Sequence, residues 1–321
     1  MNNVALLCRA TRLSLLVVAM LALSSGLAQS GCDGQTIEHE MGTTCVPEAP
    51  QRIVTLEYSY ADHLAKLGVT PVGIAREANI PAYLEPYVGA VPGVGTRAEP
   101  NLEAIVALRP DLIVADLRRH EAIYDQLSAI APTLVFDSLR GSYEDQLEAF
   151  EKLGEALGLS DEAATALEEH RAAFDRARDS VSPDAPSALI GVLSPGLFTA
   201  HSSQSFMGSF LASLGVPAAV EPRGGETQFS LSLEGIAAVQ PQALVLLCNP
   251  ADSTPLDEWA GNPVWSALDA VSSDRVYVFN RDLWSKGRGV IAFDLILEDL
   301  AGSGLLTGQP SSTPQSCQGA G

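Results

Sequence analysis

Arginine carries a planar guanidinium whose parallel N–H groups grip a carboxylate two bonds at a time, and this chain sets its cations where such a grip could be used. Arg97 stands in GVGTRAEP (93–100), Arg118 and Arg119 in ADLRRH (115–120), Arg140 in SLRGS (138–142), and Lys286 and Arg288 in WSKGRG (284–289). Basic residues are scarce: 19 Lys and Arg face 39 Asp and Glu, giving a formal charge of −20 and a pI near 4.5. A converging set would suit an oligo-anionic ligand. Taken singly, each cation reads equally well as a surface residue paired with a nearby acid, although Arg97, in a tight glycine turn, fits that reading least. The same acidity repels nucleic acid and anionic membrane surfaces, so neither is an expected partner.

Other chemistry has left no mark. There is no phosphate-binding glycine loop, nucleophile elbow or metal-binding histidine pair, and His39, His63, His120, His170 and His201 are scattered. These residues point to no resident cofactor and to no metal held directly by side chains, and they leave an enzyme open.

The elements that must position the cations follow from periodicity. RIVTLE (52–57) and PVGIA (71–75) read as strands around the helix SYADHLAKLG (59–68), which is βαβ grammar. A Pro-, Tyr- and Gly-rich loop (81–98) leads to NLEAIVALRPDLIVAD (101–116), where Leu102, Ile105 and Leu108 share a helical face, Pro110 ends the helix and 112–115 is a buried strand. RRHEAIYDQLSAIA (118–131) predicts a helix and TLVFD (133–137) a strand. SLEGIAAVQPQALVLL (232–247) repeats the helix, proline and strand of 101–116, with Glu234 in register with Glu103, and GSFLASLGV (208–216) echoes ADHLAKLGV (61–69). Paired echoes in the same order indicate two related α/β lobes, and the period is too long for a solenoid. Between them lie the helix-forming stretches 142–158 and 160–181. Ser160 is the expected N-cap of the second, with acids in its first turn and Arg176 and Arg178 in its last. A helix of that length spans about 30 Å and could be a spine between the lobes; a surface helix within one domain is the alternative. ALIGVL (188–193), SFMGSFLASLG (205–215), RVYVF (275–279) and GVIAFDLILEDLA (289–301) complete the second lobe. The expected division is a signal segment at 1–28, an N-terminal lobe at 29–158, a connecting helix at 159–181, a C-terminal lobe at 182–301 and a loose low-complexity tail at 302–321. In an open α/β sheet the cation-bearing segments fall at or beside the carboxyl ends of strands, where ligands bind.

The N-terminus points to export. Arg9 and Arg12 precede the apolar run LSLLVVAMLAL (13–23), and small residues lead to a cleavage point near Ala28. The run is shorter than the ~20 residues that span a bilayer. A lipid-anchored start at Cys32 is the rival reading, although Gln29 occupies a position where a lipidation signal wants a branched apolar residue. The mature chain keeps Cys32, Cys45, Cys248 and Cys317, which outside the cell read as two disulfides with three pairings open. Cys32 and Cys45 flank the candidate hairpin TIEHEMGTT (36–44) and Cys317 lies in a tail that needs fastening, so Cys32 with Cys45 and Cys248 with Cys317 are the expected pairs. No spacing matches a cysteine zinc site.

PQRIVTLEYSYADHLAKLGVTPVGIA, VGTRAEPNLEAIVALRPDLIVAD, the RRH that follows, SYEDQLEAF and WSKGRG, in this order over most of the mature chain, resemble the periplasmic binding proteins of iron-siderophore ABC importers, and among them the ferric dicitrate binders. The resemblance implies an α/β fold of two Rossmann-like lobes joined by a single long helix, the helical-backbone or class III arrangement, with a ferric chelate in a shallow cleft, little hinge motion and no catalysis. It places a chelate-contacting arginine on Arg97 and another on Arg119, with Arg118 an addition and Arg140 displaced by one position. In WSKGRG it keeps Trp284 and Arg288 but sets Lys286 where the dicitrate binders have arginine, retaining charge and losing the fork. Tyr58, Phe198 and His201 are further candidates for the cleft walls, and Glu103 and Glu234 for docking onto the permease. The reading that results is an exported, monomeric receptor in the periplasm or on the outer face of the cytoplasmic membrane, delivering ferric citrate or a similar siderophore to an ABC permease. Its rivals are a hydroxamate siderophore, haem or a corrinoid as cargo, an extracytoplasmic enzyme on the same α/β frame, and a sensor or adhesin module.

Overall fold

A computed structural model describes residues 32–250, 255–313 and 316–319; the signal segment 1–28 and its cleavage near Ala28 lie outside the described residues. The chain opens with the expected hairpin, β1 (Gly34–His39) and β2 (Gly42–Pro47), closed by the Cys32–Cys45 disulfide. Ile37 and Val46 turn inward and bury against Tyr60, Leu64 and Leu134, so the hairpin lids one face of the first lobe.

That lobe is a four-stranded parallel sheet in the order β4-β3-β5-β6, from β3 (Ile53–Thr55), β4 (Gly73–Ile74), β5 (Leu112–Asp116) and β6 (Thr133–Phe136). Strand β5 is buried throughout because helices cover both faces: Leu112 and Val114 pack on one side, Ile113 and Ala115 on the other. Each such fully buried Leu, Ile or Val side chain contributes roughly 1.5–3 kcal/mol relative to exposure. The covering helices are α1 (Tyr58–Lys66), the short α2 (Glu85–Val88), α3 (Leu102–Leu108), α4 (Leu117–His120), α5 (Tyr124–Ser128) and α6 (Tyr143–Ala156). The stretch 118–131, expected as one helix, is two helices parted by a 3₁₀ turn at Glu121–Ile123. His120 is the cause: its ring folds back, Nδ1 accepting from the Asp116 N–H at 2.9 Å and Nε2 meeting the Arg97 carbonyl at 2.8 Å, which ends the first helix.

Helix α7 (Ser160–Asp179) follows α6 after a left-handed Gly158 and packs on α6, then on α8 (Phe206–Leu214) and α13 (Val290–Ser303) of the second lobe. It is thus the spine and not a helix confined to one domain. Gly154 lets α6 and α7 touch, since a Cβ there would lie 2.5 Å from the Ala163 Cβ. Ser160 is not the N-cap: the Gly158 turn is tight enough that Leu159 takes that place and Ser160 is already helical.

The second sheet runs β11-β10-β7-β8-β9, with β7 (Ala188–Ser194), β10 (Ala243–Cys248) and β11 (Val276–Asn280) parallel, and β8 (Leu197–His201) and β9 (Gln228–Leu231), neither foreseen, antiparallel at one edge. Helix α9 (Leu233–Val239) is the second copy of α3. Both have seven residues, a side-chain N-cap (Asn101, Ser232) and a left-handed residue before proline, Arg109 and Gln240. Short helices α10 (Leu256–Ala260), α11 (Pro263–Ser266) and α12 (Asp269–Ser272) lead to β11. The tail from 302 is not loose where it is described. Leu305 and Leu306 are buried in the lobe's core, Tyr277 donates to the Gln309 carbonyl, Ser311 N–H to the Asp274 carbonyl, and Cys317 is joined to Cys248. Its apolar pair outweighs its low-complexity composition.

The lobes share one core. Tyr143, Leu147 and Phe150 of α6 run continuously into Phe174 of α7 and Phe206, Phe210, Tyr277 and Phe293 of the second lobe. Two further fasteners join α1 to α13: buried Asp62 accepts the Ile291 and Ala292 N–H groups at the start of α13, at 2.9 and 3.0 Å, and Lys66 meets Asp294 at 2.9 Å. Among the described residues no helix is long and apolar enough to cross a membrane.

Candidate functional site

Acids at the carboxyl ends of the first sheet organise the cations. Glu57, two residues past β3, is 1% exposed and lies 3.4 Å from Arg97 Nη1 and 3.1 Å from Arg119 Nε. Asp116, the last residue of β5 and fully buried, accepts from the Arg119 N–H with one oxygen and from the Ser138 and Leu139 N–H groups with the other, tying the loop after β6 to the start of α4. Asp137, just past β6, binds Arg118 Nε at 2.8 Å and accepts from the Arg140 N–H at 2.7 Å. Burial raises the Glu57 pKa above the ordinary carboxylate value against the pull of Arg97, Arg119 and Arg288.

Arg97 is fixed on several sides. Gly95, at φ +94°, makes the turn that presents it, and a Cβ there would strike the backbone of Glu99 and Asn101. His120, neutral because burial lowers its pKa, holds the Arg97 carbonyl. The guanidinium lies 4.4 Å over the Tyr58 ring, and its Nε donates to both oxygens of Glu77, at 3.0 and 3.1 Å. Burial works against its charge, yet Glu57 and Glu77 hold the Arg97 pKa above its usual value.

From the second lobe, Arg288 donates Nη1 to the Ser138 carbonyl at 2.6 Å and Nε to the Ser285 carbonyl. It is 7% exposed and, among the described residues, has no carboxylate within ion-pair distance, so burial lowers its pKa. Lys286 pairs with Asp282 at 2.7 Å. Arg140 of the first lobe reaches Glu226 of the second at 3.7 Å, across a cavity of about 700 Å³ lined by Arg118, Asp137, Arg140, Gly225, Glu226 and Thr227. His201 is buried and its pKa is pushed down to about 3 by that burial, with Arg288 and Arg140 adding to the effect. It is therefore a neutral ring at the cleft. Buried polar atoms without a partner gather here among the described residues: Arg140 Nη1, His201 Nδ1, Ser202 Oγ, Thr227 Oγ1 and Gln228 Nε2. Buried donors left unpaired are costly, which makes this junction one that a polar ligand would stabilise. A second cavity of about 690 Å³ lies between α7 and α13, but its Lys66 and Asp294 are already paired with each other.

The sequence expectations divide accordingly. Arg97 and Arg119 both pair with Glu57, Arg288 donates to the Ser138 carbonyl and Arg140 reaches Glu226, so segments far apart in the chain do meet. Tyr58 supports the site from beneath, its ring buried under Arg97 and its hydroxyl donating to Glu77. Trp284 and Phe198 do not line the cleft. Trp284 is fully buried, stacked 4.2 Å from Phe279 with its indole N–H on Asp299, and Phe198 is fully buried on the opposite face of the second sheet. Alternation along β8 sends Phe198 one way and His201 the other. Sequence reasoning missed Glu57, Glu77, Asp116, Asp137 and Glu226. An acid at or just past the end of successive parallel strands was the available signal for three of them. Glu103 and Glu234 are exposed in the first turns of α3 and α9.

The family described as periplasmic binding protein matches residues 53–283, which takes in both sheets, the spine and this junction up to Leu283, short of Lys286 and Arg288. The chain belongs to the periplasmic binding protein family. Among curated relatives, this binding protein is 36% identical over 280 residues to the Fe(3+)-citrate-binding protein YfmC of Bacillus subtilis, covering 86% of this chain and 87% of that one. It is 35% identical over 273 residues to the Fe(3+) dicitrate-binding periplasmic protein FecB of Escherichia coli, with coverage of 82% and 88%. Of solved structures, Staphylococcus aureus SirA complexed with staphyloferrin B superposes with a TM-score of 0.73 at 27% identity, covering 83% of this chain and 97% of that one. FeuA of Bacillus subtilis, complexed with ferri-bacillibactin, gives a TM-score of 0.74 at 21% identity with coverage of 86% and 99%, a likeness of fold alone. The architecture is the one expected: two α/β lobes on a single helical spine.

Proposed function

We propose that this protein is an exported receptor that captures an anionic ferric chelate, carboxylate-rich and of the ferric citrate type, between its lobes and hands it to an ABC importer. One observation carries the reading. In a chain of charge −20, Arg97, Arg118, Arg119, Arg140 and Arg288 converge on one junction between the lobes, where buried polar atoms stand unpaired. Relatives that bind Fe(3+)-citrate and Fe(3+) dicitrate agree with it. Iron is cargo, held by its chelator, and no resident cofactor or catalytic step is proposed.

The partner is a permease with two subunits about a two-fold axis, and the matching glutamates Glu103 and Glu234 are the proposed handles, one on each lobe. Export follows from the segment at 1–28, and the protein acts as a monomer. The Cys32 sulfur is bonded to Cys45, and a sulfur in a disulfide cannot also form the thioether of a lipid, which favours a receptor not anchored through Cys32.

Titration calorimetry against ferric citrate, iron-free citrate, a neutral ferric trihydroxamate and haem tests the cargo. The expected order has ferric citrate tightest, with affinity falling as salt rises because the contacts are between charges. Tightest binding of haem or of the neutral chelate would overturn the reading.

A further inference from the structure

Unlike the more exposed Arg118 and Arg140, Arg97 is not waiting in the open. Arg97 is 12% exposed, enclosed by Tyr58, Glu57 and Glu77. That carboxylate takes the guanidinium through Nε with both oxygens, and it is itself held by the Tyr58 hydroxyl and by its own backbone, whose N–H donates to the same hydroxyl at 3.1 Å. Glu57, at 3.4 Å from Nη1, is 1% exposed and enclosed, so it stays with Arg97 whatever binds. Glu77 differs. Its side chain is 39% exposed, and it sits in the loop between β4 and the 3₁₀ turn at Ala82–Leu84 and not inside a regular element, so it can leave. Glu77 thus occupies, with both its oxygens on Nε, a guanidinium N–H beside an aromatic ring that a chelate carboxylate could take instead.

We propose that Glu77 is an internal stand-in for a carboxylate of the cargo. In the empty receptor it neutralises Arg97 and holds the fork in its binding orientation; the arriving chelate displaces it. This deepens the proposed function and rests on it. A ligand with a carboxylate of suitable reach exchanges one charge-assisted pair for another, whereas a neutral chelate cannot replace what Glu77 gives up. Glu77 thereby sets selectivity for anionic cargo at the cost of some affinity for it. It remains ionised near neutral pH: burial works against its charge, but the Tyr58 hydroxyl and Arg97 hold its pKa below the ordinary glutamate value, so the competition persists under working conditions.

The test is Glu77→Gln, which keeps the shape and an acceptor for Tyr58 and removes the charge, titrated beside the wild type with ferric citrate and with a neutral ferric trihydroxamate. Removing an internal competitor for one charge-assisted contact should tighten ferric citrate binding by about tenfold. The neutral chelate should bind the variant at least as well as it binds the wild type, since the cost of displacing a charged carboxylate is gone. Unchanged or weaker ferric citrate binding by Glu77→Gln, with the wild type binding normally, would overturn the stand-in while leaving the proposed function intact. If the wild type ignores ferric citrate and the variant gains it, the stand-in holds and the natural cargo is another anion. Failure of both proteins to bind either chelate removes both proposals.

Discussion

Replacing Arg97 by alanine should damage binding and folding in ways that can be separated. On the binding side, the variant loses a fork aimed into a partly desolvated cleft, and one charge-assisted hydrogen bond to a chelate oxygen is worth about 1.5–3 kcal/mol. Affinity for ferric citrate should therefore fall roughly tenfold or more. On the folding side, Glu57, 1% exposed in the intact protein, loses one of its two guanidinium partners, with Arg119 at 3.1 Å as its remaining ion pair. Breaking a buried pair by removing one member costs about 3–5 kcal/mol, and because Arg119 remains the lower end applies. In a protein of this size that corresponds to a fall in Tm of roughly 6 °C or more. The double variant Arg97→Ala/Glu57→Gln removes the under-paired charge but takes from Arg119 its ion pair, so scanning calorimetry should show stability only partly restored while titration calorimetry shows affinity still lost. Two results would refute the reasoning: a folded Arg97→Ala variant that binds ferric citrate normally, or a double variant that recovers affinity together with stability.

The shared core, the α7 spine and the ties from Asp62 and Arg288 oppose hinge closure, so small-angle scattering should give nearly the same radius of gyration with and without ferric citrate; a marked contraction would mean that the ties yield. Glu103→Ala and Glu234→Ala should leave chelate affinity and Tm almost unchanged but reduce cellular iron-chelate uptake, most in the double variant, and normal uptake by the double variant would return these acids to a favourable place on the helix dipole alone. Asp294 accepts from His170 Nδ1 at 2.7 Å and from Lys66, and although burial opposes its charge these partners hold its pKa below the ordinary value. Its folded pKa is thus lower than its unfolded one, so its contribution is present above about pH 4 and is lost as pH falls through the lowered value. Urea midpoints taken from about pH 7 to about pH 3 should fall less steeply for Asp294→Asn, and identical slopes would contradict this.

Much of the frame was legible because it is written in short-range terms. Leu102, Ile105 and Leu108 make a helical face by spacing alone, Pro110 ends it, and the second copy at Leu233 obeys the same rules, so α3 and α9 match down to their caps. The β1–β2 hairpin and both disulfides followed from where the cysteines flank a turn and a tail. Misreadings arose where a side chain was claimed from afar. The helix at 118–131 breaks because His120 is taken by Asp116 and Arg97, and Trp284, read as a cleft wall, is enclosed by Phe279 and Asp299.

The sequence by itself determined most of the order of strands and helices, β8 and β9 excepted, along with the twofold plan of the chain, its acidity and the handful of arginines set against that acidity. What only the tertiary structure decided is which acid each arginine meets. Glu57 and Arg97 lie 40 residues apart, and Arg288 and the Ser138 carbonyl lie 150 apart. Such pairs leave no periodic trace, because local hydrogen bonding and side-chain spacing fix only neighbours a turn or a pleat away. Burial and charge pairing come into being when the two sheets share a core on α7 and their loops are brought to the same junction, and only there do a buried Glu57 and a displaceable Glu77 acquire different roles around one guanidinium.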